Sequence, residues 1–357
     1  MIIVDCLTNF LFLFSNNKSL LKNIVHTFIM KKSLFILPLI IMLCGCQNSD
    51  NTNSSSSSSV SEEHVCELPR LDLYILSGQS NMVGYSPIDQ IPIEEVNHSY
   101  KNAWYYVKGE GKEAHNGQGY DWWSDELKAS YFGCSRMYFG PEVGFSKFME
   151  DKYEVDANGN RYMAMLKYSQ GGSALYNRWF SSTIYKKENG KQLNIDAAGN
   201  VCPDRELDGN VVGDLYYNLV TTIREVKEYL STNYCVHVVG MIWNQGCHDA
   251  INANANYYEE NLTDFINDLR NDIDEKDMPV CLMKIFKNIA GAPYANVVRD
   301  AQDKVSQNVN NVVAIETENG EYSSVNPSSL DPHHSGPSML KLGYEEAKAI
   351  YSFKDKR

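Results

Sequence analysis

Clusters of basic residues are missing from this sequence. Lys and Arg number 32 against 45 Asp and Glu, a formal charge of −13, and no cationic stripe runs along the chain. Binding a phosphate backbone needs such clusters, so the composition argues against a nucleic-acid partner. Long apolar runs are missing too. The stretch Leu34–Leu43 is too short to span a bilayer comfortably. There is no Cys-x-x-Cys pair of the kind that holds zinc, and no internal repeat. Neither a metal nor an organic cofactor is implied.

What is present is enough apolar material for a substantial core, with 43% hydrophobic and 11% aromatic residues. The N-terminus reads as a targeting segment. Met30-Lys31-Lys32 is a charged start, Leu34–Leu43 an apolar stretch, and Leu43-Cys44-Gly45-Cys46 supplies small residues at a cleavage point. Leu-Cys-Gly-Cys also resembles a bacterial lipobox, which makes Cys46 the expected acylated first residue of the mature protein. Residues 1–46 are therefore read as leader and lipoprotein signal, with translation expected to begin at Met30. The polar stretch 47–65, with its serine run Ser54–Ser59, reads as a solvated tether. The folded domain is expected over 66–357. The protein is expected to be exported, membrane-bound only through that anchor, facing periplasm or cell surface, and monomeric. Six of the nine cysteines fall in the domain. In an oxidising compartment they allow one or more disulfides, whose connectivity spacing does not reveal.

Five short apolar runs read as strands: Leu71–Ser77, Met163–Ser169, Val236–Trp243, Val280–Phe286 and Val312–Ile315. Helical periodicity lies between them. Leu215, Leu219, Ile223, Val226 and Leu230 make one apolar face, as do Tyr258, Leu262, Phe265, Ile266, Leu269 and Ile273. Pro141–Phe148 and Leu340–Tyr351 are further helical stretches. Alternating strands and helices imply an α/β fold with a mostly parallel sheet, whose ligands bind at the carboxyl ends of the strands. Segments 86–140 and 181–213 read as irregular binding loops. Trp104, Tyr105, Tyr106, Trp122, Trp123, Trp179 and Phe180 lie in or near them, as candidate platforms for sugar rings.

Polar and glycine motifs stand at three of those strand ends. Ser80 follows the first strand in Gly78-Gln79-Ser80-Asn81-Met82, where a tight turn would expose its hydroxyl. A nucleophilic serine needs a base, and the base needs a carboxylate to orient it. Asp331-Pro332-His333-His334 can supply both. Gly171-Gly172-Ser173 offers a close backbone N–H, and the Gln245 amide a donor for a developing oxyanion.

These blocks, with Gly140-Pro141-Glu142 and Trp243-Asn244-Gln245-Gly246, resemble the SGNH hydrolase superfamily. The closest likeness is to its carbohydrate esterase branch of sialate O-acetylesterases and acetylxylan esterases. The resemblance implies a three-layer α/β/α sandwich of flavodoxin-like type with a five-stranded, mostly parallel sheet. It implies Ser80 as nucleophile, with Asp331 and His334 completing the triad, since the Asp-x-x-His spacing selects His334 over His333. It implies an oxyanion hole from the Ser80 and Gly172 N–H groups and the Gln245 side chain. Gln79, Asn81 and Trp243, in the same blocks, are candidates for substrate binding. The implied activity is a serine esterase removing acetyl groups from a carbohydrate. One departure stands out. The branch usually reads Trp-x-Gln-Gly-Glu, and here Cys247 takes the Glu position, followed by His248 and Asp249. Either Asp249 replaces the lost carboxylate or the network is rebuilt. Two other readings remain compatible: an SGNH esterase for lipid or other small esters, and a glycan-binding lipoprotein that kept the fold without catalysis.

Overall fold

The computed structural model describes residues 66–109, 122–189, 194–195, 201–202, 206–207 and 210–354. The leader, the anchor candidate Cys46 and the tether lie outside the described residues. No helix among the described residues is long and apolar enough to cross a membrane.

Seven strands build one central sheet: β1 (Arg70–Gly78), β2 (Trp104–Gly109), β3 (Trp122–Ser124), β4 (Met163–Ser169), β5 (Cys235–Asn244), β6 (Val280–Met283) and β7 (Val312–Ile315). Their order is β7-β6-β5-β1-β4-β2-β3. All neighbours pair in parallel except β3, which runs antiparallel to β2 at the edge. β1 is buried from Leu71 onward, because helices cover both faces of the sheet. That is why its sequence is a near-continuous apolar run rather than an alternation.

The sheet has seven strands where five were expected. The five anticipated strands are all present and adjacent. The two additions, β2 and β3, come from the segment read as an irregular loop. Trp-Tyr-Tyr-Val is β-prone sequence, and in β2 it places Tyr105 and Tyr106 in the core. Trp179 and Phe180 are buried as well. These four rings are core packing and not a sugar platform.

The helices that matter are α1 (Ser80–Val83), α2 (Glu142–Met149), α3 (Asp214–Leu230), α4 (Tyr258–Asp272), α5 (Ala295–Asn308) and α6 (Gly336–Tyr351). α3 and α4 bury the faces their periodicity marked. α5 had no strong signal, since its buried face is largely small: Ala295, Val298, Ala301, Val305. α6 starts at Gly336, ahead of its apolar stretch, because Pro337 fits a first helical turn. α2 and α6 cover one face, with Ile350 of α6 seated on Gly240 of β5. α3, α4 and α5 cover the other, with Phe265 of α4 against Trp243 of β5 at a centroid distance of 4.5 Å. α2 and α6 cross very closely. A Cβ on Gly343 would lie 2.0 Å from the Pro141 carbonyl oxygen, so only glycine fits there. Cys66, just before β1, is disulfide-bonded to Cys235 at the start of β5.

The chain reverses direction across the sheet at β1. Strands formed before residue 170 lie to one side, and those formed after 234 lie to the other. A crevice at the carboxyl ends of strands opens at such a switch point.

Candidate active site

β1 ends in a turn that only glycine makes. Gly78 has φ +144°, and a Cβ on it would lie 2.3 Å from the Asn244 carbonyl oxygen. The Gln79 N–H donates to that same carbonyl at 2.9 Å. The chain therefore reverses sharply and sets Ser80 at the first position of α1. There it is 8% exposed and lines a cavity of about 510 Å³. The first N–H groups of a helix lack intrahelical acceptors, which leaves the Ser80 amide available beside its hydroxyl.

Across this cavity stands the segment between β7 and α6. It runs extended against 323–325: the Val325 N–H donates to the His333 carbonyl, Ser335 N–H to Ser323, and Ser324 bridges His334. Successive residues of an extended segment point to opposite sides. Asp331 and His333 thus share one side, and His334 faces the other. The Asp331 carboxylate accepts from His333 Nδ1 at 2.8 Å and from the His333 backbone N–H at 2.9 Å. The His333 ring stacks on Tyr85 at 4.9 Å, and His333 lines the cavity with Ser80. Hydrogen bonding to the carboxylate puts the proton on Nδ1 and leaves Nε2 as the acceptor. No hydrogen bond joins Ser80 Oγ to either imidazole among the described residues. Catalytic hydrogen bonds often tighten only with substrate present.

His334 is placed differently from the expectation. The Asp331 carboxylate closes on His333, and the His334 ring is fully buried, 4.4 Å from the Phe286 ring centroid. Neither of its nitrogens has a hydrogen-bond partner. Burial, reinforced by the nearby His333, pushes its pKa down to about 3. An imidazole so depressed is a weak base at neutral pH.

The remaining candidates divide into cavity walls and supports. Gln79 and Gly172 line the cavity. Gln79 also organises the loop after β5, its Oε1 accepting from Gly246 N–H at 3.0 Å and His248 N–H at 3.3 Å. Asn81 is a clamp on the histidine segment. Its Nδ2 donates to the Pro332 carbonyl at 2.9 Å and its Oδ1 accepts from His334 N–H at 3.2 Å. Gln245 is fully buried and away from the cavity lining. Its amide nitrogen faces three acceptors, the Ser173 carbonyl, Asp249 and Gln79. Both of its N–H groups are therefore spoken for, which is a support's role rather than an oxyanion donor's. Trp243, placed by sequence among substrate binders, is core: fully buried and edge-on to Trp179 at 5.0 Å. Its contact with Phe265 places it on the α4 face of the sheet.

Asp249 supplies a buried carboxylate two residues after Cys247. Its carboxylate accepts from the Leu175 and Tyr176 N–H groups at 2.8 and 2.9 Å and from the Gln245 amide. The loop after β4 and the loop after β5 are joined through it. Burial raises its pKa against the pull of those hydrogen bonds. Cys247 is buried at the cavity wall, and burial, with Asp249 beside it, pushes its thiol up to about 12. It is a neutral, inert wall residue.

Sequence reasoning missed Tyr85 and missed Lys167 as the partner of Glu142. Lys167, in the middle of the apolar run of β4, is fully buried. It donates to Glu142 at 2.6 Å and to the Phe132 and Val83 carbonyls at 2.9 and 3.1 Å. The signal was a lysine inside a buried strand. No group of three or more His, Cys, Asp or Glu among the described residues is placed to hold a metal ion.

Comparison with known proteins fits this geometry. Residues 70–352 match the family described as carbohydrate esterase, sialic acid-specific acetylesterase. Among solved structures, a protein from Arabidopsis thaliana is similar at 18% identity and TM-score 0.54, over 80% of this chain and 99% of that one. NanS is similar at 14% identity and TM-score 0.54, over 81% and 99%. A carbohydrate acetylesterase from Xanthomonas citri is similar at 17% identity and TM-score 0.51, over 80% of this chain and 57% of that one. No curated protein matches the sequence. At these identities the structural likeness establishes the three-layer α/β/α fold.

Proposed function

We propose, starting from this chain's membership of the carbohydrate esterase, sialic acid-specific acetylesterase family, that it removes O-acetyl groups from a sugar through an acetyl-enzyme on Ser80. It is a carboxylic ester hydrolase acting on carbohydrates. The observation that supports the finer reading is that His333, held by the Asp331 carboxylate at 2.8 Å, lines the same cavity as Ser80.

In this mechanism Ser80 Oγ attacks the acetyl carbonyl while His333 Nε2 takes its proton. Asp331 holds the ring and stabilises the imidazolium. The oxyanion is met by the Ser80 and Gly172 N–H groups. His333 returns the proton to the departing sugar oxygen. Water, activated by the same base, then attacks the acetyl-enzyme and releases acetate and Ser80. Sialic acid is the sugar the family description favours, and acetylated polysaccharide is the other candidate class.

A second reading gives the base to His334. The Asp-x-x-His spacing favours it, as do its two unpartnered ring nitrogens, because burying such groups without partners is costly. Acetate release from O-acetylated sialic acid and from acetylated xylan decides among these readings. Ser80→Ala and His333→Ala should each lower kcat roughly 10⁴- to 10⁶-fold, and His334→Ala far less. If the two histidine results are reversed, His334 is the base. Turnover retained in Ser80→Ala removes the serine mechanism.

A further inference from the structure

We propose that a second subsite beside the catalytic cavity takes a neutral sugar glycosidically joined to the acetylated one, so that the preferred substrate is a glycoside rather than a free monosaccharide. The proposal rests on the acetylesterase reading of Ser80 and extends it to substrate size.

A smaller cavity of about 140 Å³ shares Gly172 and His248 with the cavity that holds Ser80. The two are thus adjacent, with those residues between them. The segment that follows His248 borders both, with Asp249, Asn252 and Asn254 on the smaller cavity and Ile251 on the larger. It turns Ile251 and Tyr257 outward, 47% and 51% exposed. Ile251 lines the larger cavity, and Tyr257 stands outside the lining of the smaller one, against its wall residue Tyr176. The Tyr257 ring lies 6.3 Å from that of Tyr176, tilted by 35°, and Tyr176 lines the smaller cavity. Two aromatic rings at such an edge present flat, amphipathic faces suited to the C–H face of a pyranose.

The polar wall indicates which sugar. Arg178 lines the cavity, and its Nε and Nη2 are both held by Asp214. That pairing neutralises its charge and fixes the guanidinium, leaving Nη1 as a rigid donor. The Asn252 Oδ1 accepts from the Asn254 N–H at 2.9 Å, so its amide nitrogen is left to donate. The Asn254 side chain adds an amide with no partner among the described residues. The Asp249 carboxylate on this wall is already satisfied by three donors. What remains is a set of positioned donors and acceptors with little net charge, in a chain of formal charge −13. That suits hydroxyl groups better than a carboxylate or phosphate. A single sugar would occupy the larger cavity with its acetyl group at Ser80. Only a substrate continuing past Gly172 and His248 reaches the second.

The test compares O-acetylated sialyllactose, O-acetylated sialic acid and p-nitrophenyl acetate on the intact protein and on Tyr257→Ala and Asn254→Ala. The expected result is a kcat/KM higher for the sialyllactose ester than for free sialic acid. Each variant should lose about tenfold of it, through KM, with the other two substrates unchanged. Tyr257→Trp should keep the advantage, which separates ring stacking from a folding defect. Equal cleavage of both sialic esters, unaffected by either variant, overturns the subsite and leaves the acetylesterase standing. Cleavage of p-nitrophenyl acetate alone overturns the sialic reading and the subsite with it.

Discussion

Asp249 and Cys247 stand two residues apart and play different parts. Position 247 carries a buried thiol, and Asp249 supplies the carboxylate that ties Leu175, Tyr176 and Gln245 together. Asp249→Asn would set an amide N–H₂ against donors that need an acceptor. The loop carrying Gly172 would then shift relative to Ser80. A misplacement of this kind costs about 10² in rate, so Asp249→Asn should lower kcat by about that factor. Cys247→Ala should lower it little, and the Cys247 thiol should resist iodoacetamide at pH about 8, since its pKa stands at about 12. Steady-state kinetics and mass spectrometry of the alkylated protein check both. The positions of Ser80 and Gly172 were legible because each motif ends a strand the periodicity had marked, and that of Asp331 because its block stands just before the final helix. The choice between His333 and His334 was not. It depends on which side of an extended segment each faces, and the partner of that segment, 323–325, carries no sequence signal of its own.

At the level of elements, the seat of Ser80 is braced by a buried ion pair. Lys167 of β4 ties Glu142 of α2 to the carbonyls of Val83 and Phe132, directly beneath α1. Both partners are fully buried. Removing one leaves an uncompensated buried charge, which costs about 3–5 kcal/mol. Lys167→Met should therefore lower the unfolding free energy from urea titration by that much. The double variant Lys167→Met/Glu142→Leu should recover most of the loss, because no lone charge remains. A double variant as unstable as the single one would show that the carbonyl contacts dominate. The strands around this brace were readable where apolar runs were bounded by glycine or proline. β2 and β3 were not, because aromatic sequence within a stretch rich in glycine and asparagine looks the same in a loop as in a strand.

For the molecule as a whole, two buried groups set opposite limits on stability with pH. Glu346 of α6 is fully buried; neither carboxyl oxygen meets a hydrogen-bond partner, although Asn244 lies beside it. Burial raises its pKa well above the ordinary 4.5. The native state keeps a proton that the unfolded chain releases above about 4.5, so stability falls as pH rises from there towards the native pKa. His334 works in the other sense. Its pKa is lowered from 6.5 to about 3. The unfolded chain takes up a proton below about 6.5 that the native ring refuses, so stability is lost as pH falls from there to about 3. Glu346→Gln should flatten the alkaline limb of a Tm-against-pH curve, and His334→Phe the acid limb. An unchanged alkaline slope in Glu346→Gln would place that limb's origin elsewhere.

The sequence alone determined the layer architecture, five of the sheet's seven strands and the glycine turns that end three of them. Each of these rests on local periodicity and on turn residues with few alternatives. Tertiary structure alone decided that Asp331 pairs with His333, that Gln245 and Trp243 are supports and core, and that Asp249 joins two loops. Those outcomes depend on which groups from distant segments meet at hydrogen-bonding distance once the sheet is assembled, and no local pattern in the chain encodes such a meeting.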